Sequence, residues 1–209
     1  MFSAGTDTTF TTLEWTLSEL IKHPPAMKKL QQEATIIAEG RSTILEQDLE
    51  KMQYLKAVVK ESMRLHTPVP LIPRETTEGV ELMGYDIPVG TQVLVNVWAI
   101  GRDPTVWEDS NKFRPERFLD NSTEYKSLHY DWLPFGAGRR GCPGIQFATT
   151  IIELALANMV HKFDFELPNG VKNEDIDMSE TYGITVHKKS SLITGGCESA
   201  ILVVAHKRY

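Results

Sequence analysis

Apolar positions recur with a helical period at both ends of the chain and switch to a period of two in between. Phe10, Leu13, Leu17, Leu20 and Ile21 fall at helical spacing, so residues 2–21 predict a helix ended by His23-Pro24-Pro25. Pro25 opens a second helix with Met27, Leu30, Ala34 and Ile37 on one face, and Gly40 supplies its stop. A polar linker over 41–47 precedes a third predicted helix, 48–65, with Tyr54, Val58 and Leu65 on the side that also holds Glu61. Pro68, Pro70 and Pro73 then forbid helix. Segments 72–75, 80–82 and 85–87 read as short strands, the last two joined around Met83-Gly84, and Val93, Val95 and Val97 alternate as another. Asp103-Pro104 predicts an N-cap with proline at N1 and a short helix through Trp107.

After a polar stretch over 121–131, the apolar run from Ile145 predicts a helix to about residue 162. Gln146, Thr150, Glu153 and His161 form its narrow polar stripe, which implies deep burial of the rest. Phe163, Phe165 and Leu167 alternate as a strand, Asn169-Gly170 signals a turn, and 184–188 reads as the returning strand. The fold class is therefore mainly α with small antiparallel β-sheets. No internal repeat or low-complexity segment is present.

Composition narrows the function without naming it. The 209 residues, 41% apolar and 24% charged, suffice for one domain with a real core. A net charge of -6 gives no basic surplus, which argues against a nucleic-acid partner or a polybasic membrane patch. Cys142 and Cys197 are the only cysteines and form no C-x-x-C, so neither a disulfide framework nor a zinc site is indicated, and a reducing compartment fits. Neither a secretory signal nor about 20 consecutive apolar residues occurs. Asn121-Ser122-Thr123 matches the glycosylation sequon and reads as an ordinary surface turn.

Chemistry concentrates in the stretch Phe135-Gly136-Ala137-Gly138-Arg139-Arg140-Gly141-Cys142-Pro143-Gly144. Its four glycines suit positive φ angles or the close approach of a flat ligand to bare backbone. Cys142 precedes a predicted helix N-terminus, where free N–H groups and the helix dipole favour a thiolate. Arg139 and Arg140 add charge suited to carboxylates or phosphates. The plainer reading of Cys142 is a small buried hydrophobe. A second unusual stretch is Ala4-Gly5-Thr6-Asp7-Thr8-Thr9, where glycine and threonines conflict with helix propensity; it reads either as a capping box or as a functional site. Glu61 and Arg64 share a helix face, an arrangement that on an exposed helix carries little. Arg74 alone reads as a solvated strand-edge charge.

Taken together, Phe135, Gly138, Arg140, Cys142 and Gly144 form F-x-x-G-x-R-x-C-x-G, which resembles the haem-binding loop of the haem-thiolate monooxygenases, the cytochrome P-450 superfamily. Ala4 to Thr9 resemble that family's oxygen-activation motif, and 111–118, Asn-Lys-Phe-Arg-Pro-Glu-Arg-Phe, resembles its F-x-P-E-R-F segment. The resemblance covers about residues 1–192 and implies the C-terminal part of that fold, most like the plant A-type branch; 193–209 form an atypical tail with no assigned role.

The resemblance implies haem b, with Cys142 as the iron ligand and Phe135, Gly136 and Gly144 beside it. Arg74 and Arg140 would anchor propionates. Asp7 and Thr8 would be the acid and alcohol that deliver protons to dioxygen, and Glu61, Arg64 and Arg117 a structural network. The implied reaction inserts one oxygen atom from O2 into a small organic substrate, with electrons from NADPH through a partner reductase. A haem-thiolate isomerase or dehydratase is the alternative enzyme, against which the intact Asp7-Thr8 pair weighs.

Full-length relatives carry a longer N-terminal portion with a membrane anchor and lie on the cytosolic face of the endoplasmic reticulum. The chain as written is therefore expected to be cytoplasmic, to bind haem weakly and to lack coupled turnover, a catalytically incompetent fragment.

Overall fold

The computed structural model describes residues 2–119, 125 and 130–197. The sequon at Asn121-Ser122-Thr123 and the apolar run from Ile201 to Ala205 lie outside them. Among the described residues five α-helices run in chain order: α1 (Phe2–Lys22), α2 (Pro24–Ala38), α3 (Gln53–Leu65), α4 (Val97–Ile100) and α5 (Ile145–Lys162). The strands are β1 (Leu71–Glu75), β2 (Val80–Leu82), β3 (Tyr85–Ile87), β4 (Gln92–Asn96), β5 (Asp164–Glu166), β6 (Glu180–Thr181), β7 (His187–Lys188) and β8 (Gly195–Cys197). All pair antiparallel, as β1–β4, β2–β3, β5–β8 and β6–β7. The chain is thus mainly α with small antiparallel sheets.

The periodic stripes supply the core. Leu20 of α1, Leu30 of α2, Leu55 and Val58 of α3, and Ile152 and Leu156 of α5 are fully buried together. Each such side chain contributes roughly 1.5–3 kcal/mol by leaving water. α1 packs on α3 and α5, and α2 on α5, so the chain's opening helix lies against the helix that follows the cysteine loop. Among the described residues no helix is long and apolar enough to cross a membrane.

Several elements depart from the periodic reading, three of them where a side chain bonds to nearby backbone. The second helix begins at Pro24 and ends at Ala38, with Glu39 and Gly40 both at left-handed φ angles. The predicted helix 48–65 is broken at Met52: Glu46–Lys51 is a 3-10 helix, because the Asp48 carboxylate accepts the Leu45 N–H and an Arg41 guanidinium N–H. Val97 leaves its strand because the Asn96 side chain accepts the Ala99 N–H and starts α4. Asp103 forms one turn and no regular helix, its carboxylate taking both the N–H and the hydroxyl of Thr105. Asn169-Gly170 lies in a 3-10 turn, and β5 pairs with β8 rather than with 184–188, where only His187–Lys188 are strand, paired with β6. The deep burial expected of α5 holds for one face only, since Phe147 and Ile151 are exposed.

Buried charges hold the helices to the loops. The Glu61 carboxylate takes two N–H bonds from the Arg64 guanidinium, at 2.8 and 2.9 Å, and both side chains are 0% exposed. It also accepts from Arg117 Nε at 3.0 Å and from the Arg114 backbone N–H at 2.8 Å. Arg64 spends its remaining N–H groups on the carbonyls of Gly101, Ser110 and Lys112. Gly101 must be glycine here, because a Cβ would stand 2.7 Å from the Arg64 carbonyl oxygen. On α1, burial opposes ionisation of Glu19, but hydrogen bonds from His23 and His66 outweigh it and hold the carboxyl down at about 2. Glu153 on α5 lacks that help. Burial pushes it from 4.5 to about 7 against the pull of Lys56 and Lys60, at the wall of a cavity of about 850 Å3 between 46–53, α3 and α5.

Arg64→Ala is expected to lower the unfolding free energy by about 3–5 kcal/mol, because it strands the Glu61 charge. Arg117→Ala, which leaves the bidentate pair intact, should cost less; urea denaturation of both variants checks the order. Glu153 gives a pH signature of defined sign. Its folded pKa is raised, so its contribution is present below about 4.5 and is lost as pH rises through about 7. Glu153→Gln should flatten that limb and stabilise the chain at pH 8 by about 1–2 kcal/mol after screening. Glu19 is depressed, so the acid limb, lost as pH falls from 4.5 through about 2, should persist in that variant.

Candidate functional site

The stretch from Phe135 to Gly144 is a loop pinned at its neck. The Cys142 N–H donates to the Phe135 carbonyl at 2.9 Å, the Gly136 N–H to Leu133 O at 3.1 Å, and the Gly141 N–H to Gly138 O at 3.1 Å across a 3-10 turn, Gly138–Arg140. Gly136 and Gly138 take φ angles of 67° and 69°, which side-chain-bearing residues avoid. Gly144 caps α5, and a Cβ there would lie 3.9 Å from Cys142 Sγ. Cys142 is a free, exposed thiol at the end of this loop, so the reading of it as a small buried hydrophobe is set aside.

Aromatic packing ties the loop to the buried arginine. Phe135 meets the edge of Tyr125 at 5.4 Å, Tyr125 lies 5.3 Å from Trp132, Trp132 5.1 Å from Phe118, and Phe118 5.7 Å from Trp107. The Arg64 guanidinium sits over Trp107 at 5.2 Å. The loop is thereby positioned from α3, far from it in sequence.

Arg74, on β1, is half-buried and donates to the Pro73 carbonyl at 2.8 Å. A Cβ at Gly136 would lie 3.4 Å from Ile72 Cδ1 and 3.8 Å from Arg74 Nη2, so β1 and the loop form one wall at which the backbone is bare. Arg140 is exposed on the loop itself. The arrangement fits a porphyrin. An exposed thiol, a glycine wall and a flanking arginine suit a haem bound through sulfur.

Asp7 and Thr8 stand on α1, which packs against α5. The Thr8 hydroxyl donates to the Ala4 carbonyl at 2.7 Å, and the Asp7 carboxylate accepts a hydrogen bond from the hydroxyl of Thr185, just before β7. The structure thus groups Glu61 with Arg64 and Arg117, Cys142 with Phe135 and Gly144, and Arg74 with Gly136. It puts Asp7 and Thr8 on a separate element. Sequence reasoning missed Thr185, whose hydroxyl donates to Asp7, and His187, whose Nε2 lies 3.1 Å from Thr185 Oγ1 and 3.5 Å from Asp7 Oδ1; their signal is an i, i+2 polar pair around the buried Val186.

Comparison with known proteins places the chain in a family. The family model described as Cytochrome P450 matches residues 1–194. Cytochrome P450 Tp4149 of Tanacetum parthenium is 63% identical over 194 residues, covering 92% of this chain and 39% of the relative. Psoralen synthase of Ammi majus is 59% identical with the same coverage, and (+)-menthofuran synthase of Mentha piperita is 57% identical, again over 92% of this chain and 39% of its own. A zebra fish cytochrome P450 solved with progesterone superposes with a TM-score of 0.81 at 32% identity, covering 91% of this chain and 43% of that one. The chain spans about two fifths of the length of the curated relatives it matches. With signature, relatives and solved fold in agreement over nearly the whole described sequence, the chain belongs to the cytochrome P450 family.

Proposed function

We propose that this chain is the haem-thiolate part of a monooxygenase that inserts one oxygen atom from O2 into a small organic substrate, a plant specialised metabolite, using electrons from NADPH passed by a partner reductase. The observation that carries the reading is the free Cys142 thiol on the open side of a loop pinned to Phe135 and walled by bare glycine backbone. The names of the plant relatives, a psoralen synthase and a menthofuran synthase among them, support the substrate class.

In this reading Cys142 would hold the haem iron through its sulfur, and Gly136 and Gly144 would keep the approach clear. Phe135 would flank the sulfur, its carbonyl already taking the Cys142 N–H. Arg74 and Arg140 would pair with the propionates as fixed cations. A haem held by a cysteine thiolate supplies an iron centre whose electron push favours O–O cleavage. What remains for the protein is proton handling and geometry. The Asp7 carboxyl holds and releases a proton above the α1 backbone. The Thr8 hydroxyl, kept on the Ala4 carbonyl, orients the next donor in line.

Titration of the chain with haem, followed by reduction under carbon monoxide, should give a strongly red-shifted Soret band at saturation. Cys142→Ser should abolish the shift while leaving the far-ultraviolet circular dichroism unchanged. Because the band position is read at saturation, a low affinity does not obscure it. A shifted band in the serine variant would sink the assignment.

A further inference from the structure

The Asp7 side chain is 44% exposed, so water reaches its carboxylate directly and no relay through the protein is needed. What an exposed aspartate on a helix lacks is a fixed direction, because its side chain hops among staggered rotamers unless something holds it. Here the hold comes from a segment far along the chain. The Thr185 hydroxyl donates to Asp7 Oδ2, and its oxygen lies 3.1 Å from His187 Nε2, which is 3.5 Å from Asp7 Oδ1. His187 Nδ1 in turn lies 2.9 Å from Thr11 Oγ1. An ionised carboxylate only accepts, so the single hydrogen of the Thr185 hydroxyl is committed to Oδ2, and Thr185 Oγ1 accepts from the imidazole. Nε2 therefore carries the ring hydrogen. In the neutral ring Nδ1 accepts the hydroxyl hydrogen of Thr11, which is 0% exposed, so the row of bonds ends in the core. A row closed at its inner end takes up no protons from water; what it does is hold its outer end still.

We propose that Thr185, braced by His187, is the positioning residue of Asp7: it holds the carboxylate by Oδ2 and leaves Oδ1 as the oxygen that exchanges protons with water. The inference rests on the reading of Asp7 as the carboxyl that delivers protons. In each passage a hydronium gives its proton to Oδ1 and leaves as water, and no electrons move. Oδ2 already accepts the Thr185 hydrogen, whereas Oδ1 has only the longer contact to Nε2. The brace is itself fixed. Thr185 is buried beside Val186, whose N–H donates to Pro68 O at 2.9 Å and whose carbonyl accepts from Trp15 Nε1 at 3.1 Å. With both backbone groups of Val186 engaged, the Thr185 hydroxyl stays over α1 and selects the one carboxylate rotamer that reaches it.

The hold can be read in the chain itself, without haem. Three-bond couplings from Asp7 Cγ to its own N and C′, measured on 13C,15N-labelled protein, report the side-chain rotamer. They should show one staggered rotamer in the wild type, and averaged values there would overturn the proposal. Thr185→Val keeps the shape but removes the hydrogen, so it should average the couplings with the far-ultraviolet circular dichroism unchanged, and Thr185→Ser should restore the single rotamer. A valine variant that keeps the rotamer would show Asp7 fixed by something else and sink the idea. The choice of oxygen is read by lowering the pH in His187→Gln, which keeps an N–H for Thr185 and removes the titration of the imidazole that faces the carboxylate. A proton on Oδ1 leaves the Thr185 bond in place, so the single rotamer should persist while the Cγ shift reports protonation. Averaging on protonation would place the proton on Oδ2 and reject the assignment. The carbon monoxide band tests the reading of the site separately: without the band that reading fails while the couplings stand, and averaged couplings remove the positioning role with the band intact.

Discussion

The Glu61 carboxylate is the point on which the architecture rests. It lies at 0% exposure, where an unpaired charge is untenable, and it is satisfied by two arginines and a backbone N–H. Arg64 in turn uses every arm, so that three loop carbonyls after α4 are drawn onto α3. Ion pairs of this kind contribute little net stability compared with apolar packing, but they tolerate only one arrangement of their partners. Here that arrangement is the path of the chain from residue 101 to 118. The rings of Trp107, Phe118, Trp132, Tyr125 and Phe135 carry it on to the loop that presents Cys142.

Rigidity and reactivity are divided between two elements. The loop is fixed by its own backbone bonds and by aromatic packing, so the thiol is set without help from α1. α1 is the opposite case. Its threonines at 8, 12 and 16 each donate to the carbonyl four residues back, at 2.7, 2.8 and 2.6 Å. These bonds satisfy the hydroxyls within the helix and offset part of the poor propensity of its opening turns. The Asp7 side chain remains 44% exposed and is held only from outside. The conflict between the composition of these opening turns and their helical form is thus met by bonds within the helix and by one from a distant segment.

Much of this was legible from the residues. α1, α2 and α5 follow from apolar spacing, and the cysteine loop from its glycines, because those signals are local. What the sequence hid depended on side chains bonding to nearby backbone or on distant partners. Asp48 and Asn96 each redirect the chain by accepting an N–H three residues away, and periodicity is blind to such bonds. The pairing of β5 with β8 could not be read because Gly195-Gly196-Cys197 carries no alternating pattern. The Glu61 and Arg64 spacing fits a solvent-exposed pair as well as a buried one, and only the F-x-P-E-R-F segment distinguished them.

The pairing of Asp7 with 185–187 shows most plainly why distance defeats sequence reading. The two stretches are separated by nearly the whole chain, and neither names the other. What selects the contact is register. Both backbone polar groups of Val186 are engaged, one by Pro68 and one by the Trp15 indole, and its side chain is buried. With Val186 fixed, alternation sends Thr185 and His187 to the same side. A slip of one residue would bring valine to the carboxylate and turn both polar side chains away. The indole bond is therefore as much a part of the Asp7 environment as the groups that touch it, although Trp15 lies two turns along the helix and never meets the carboxylate.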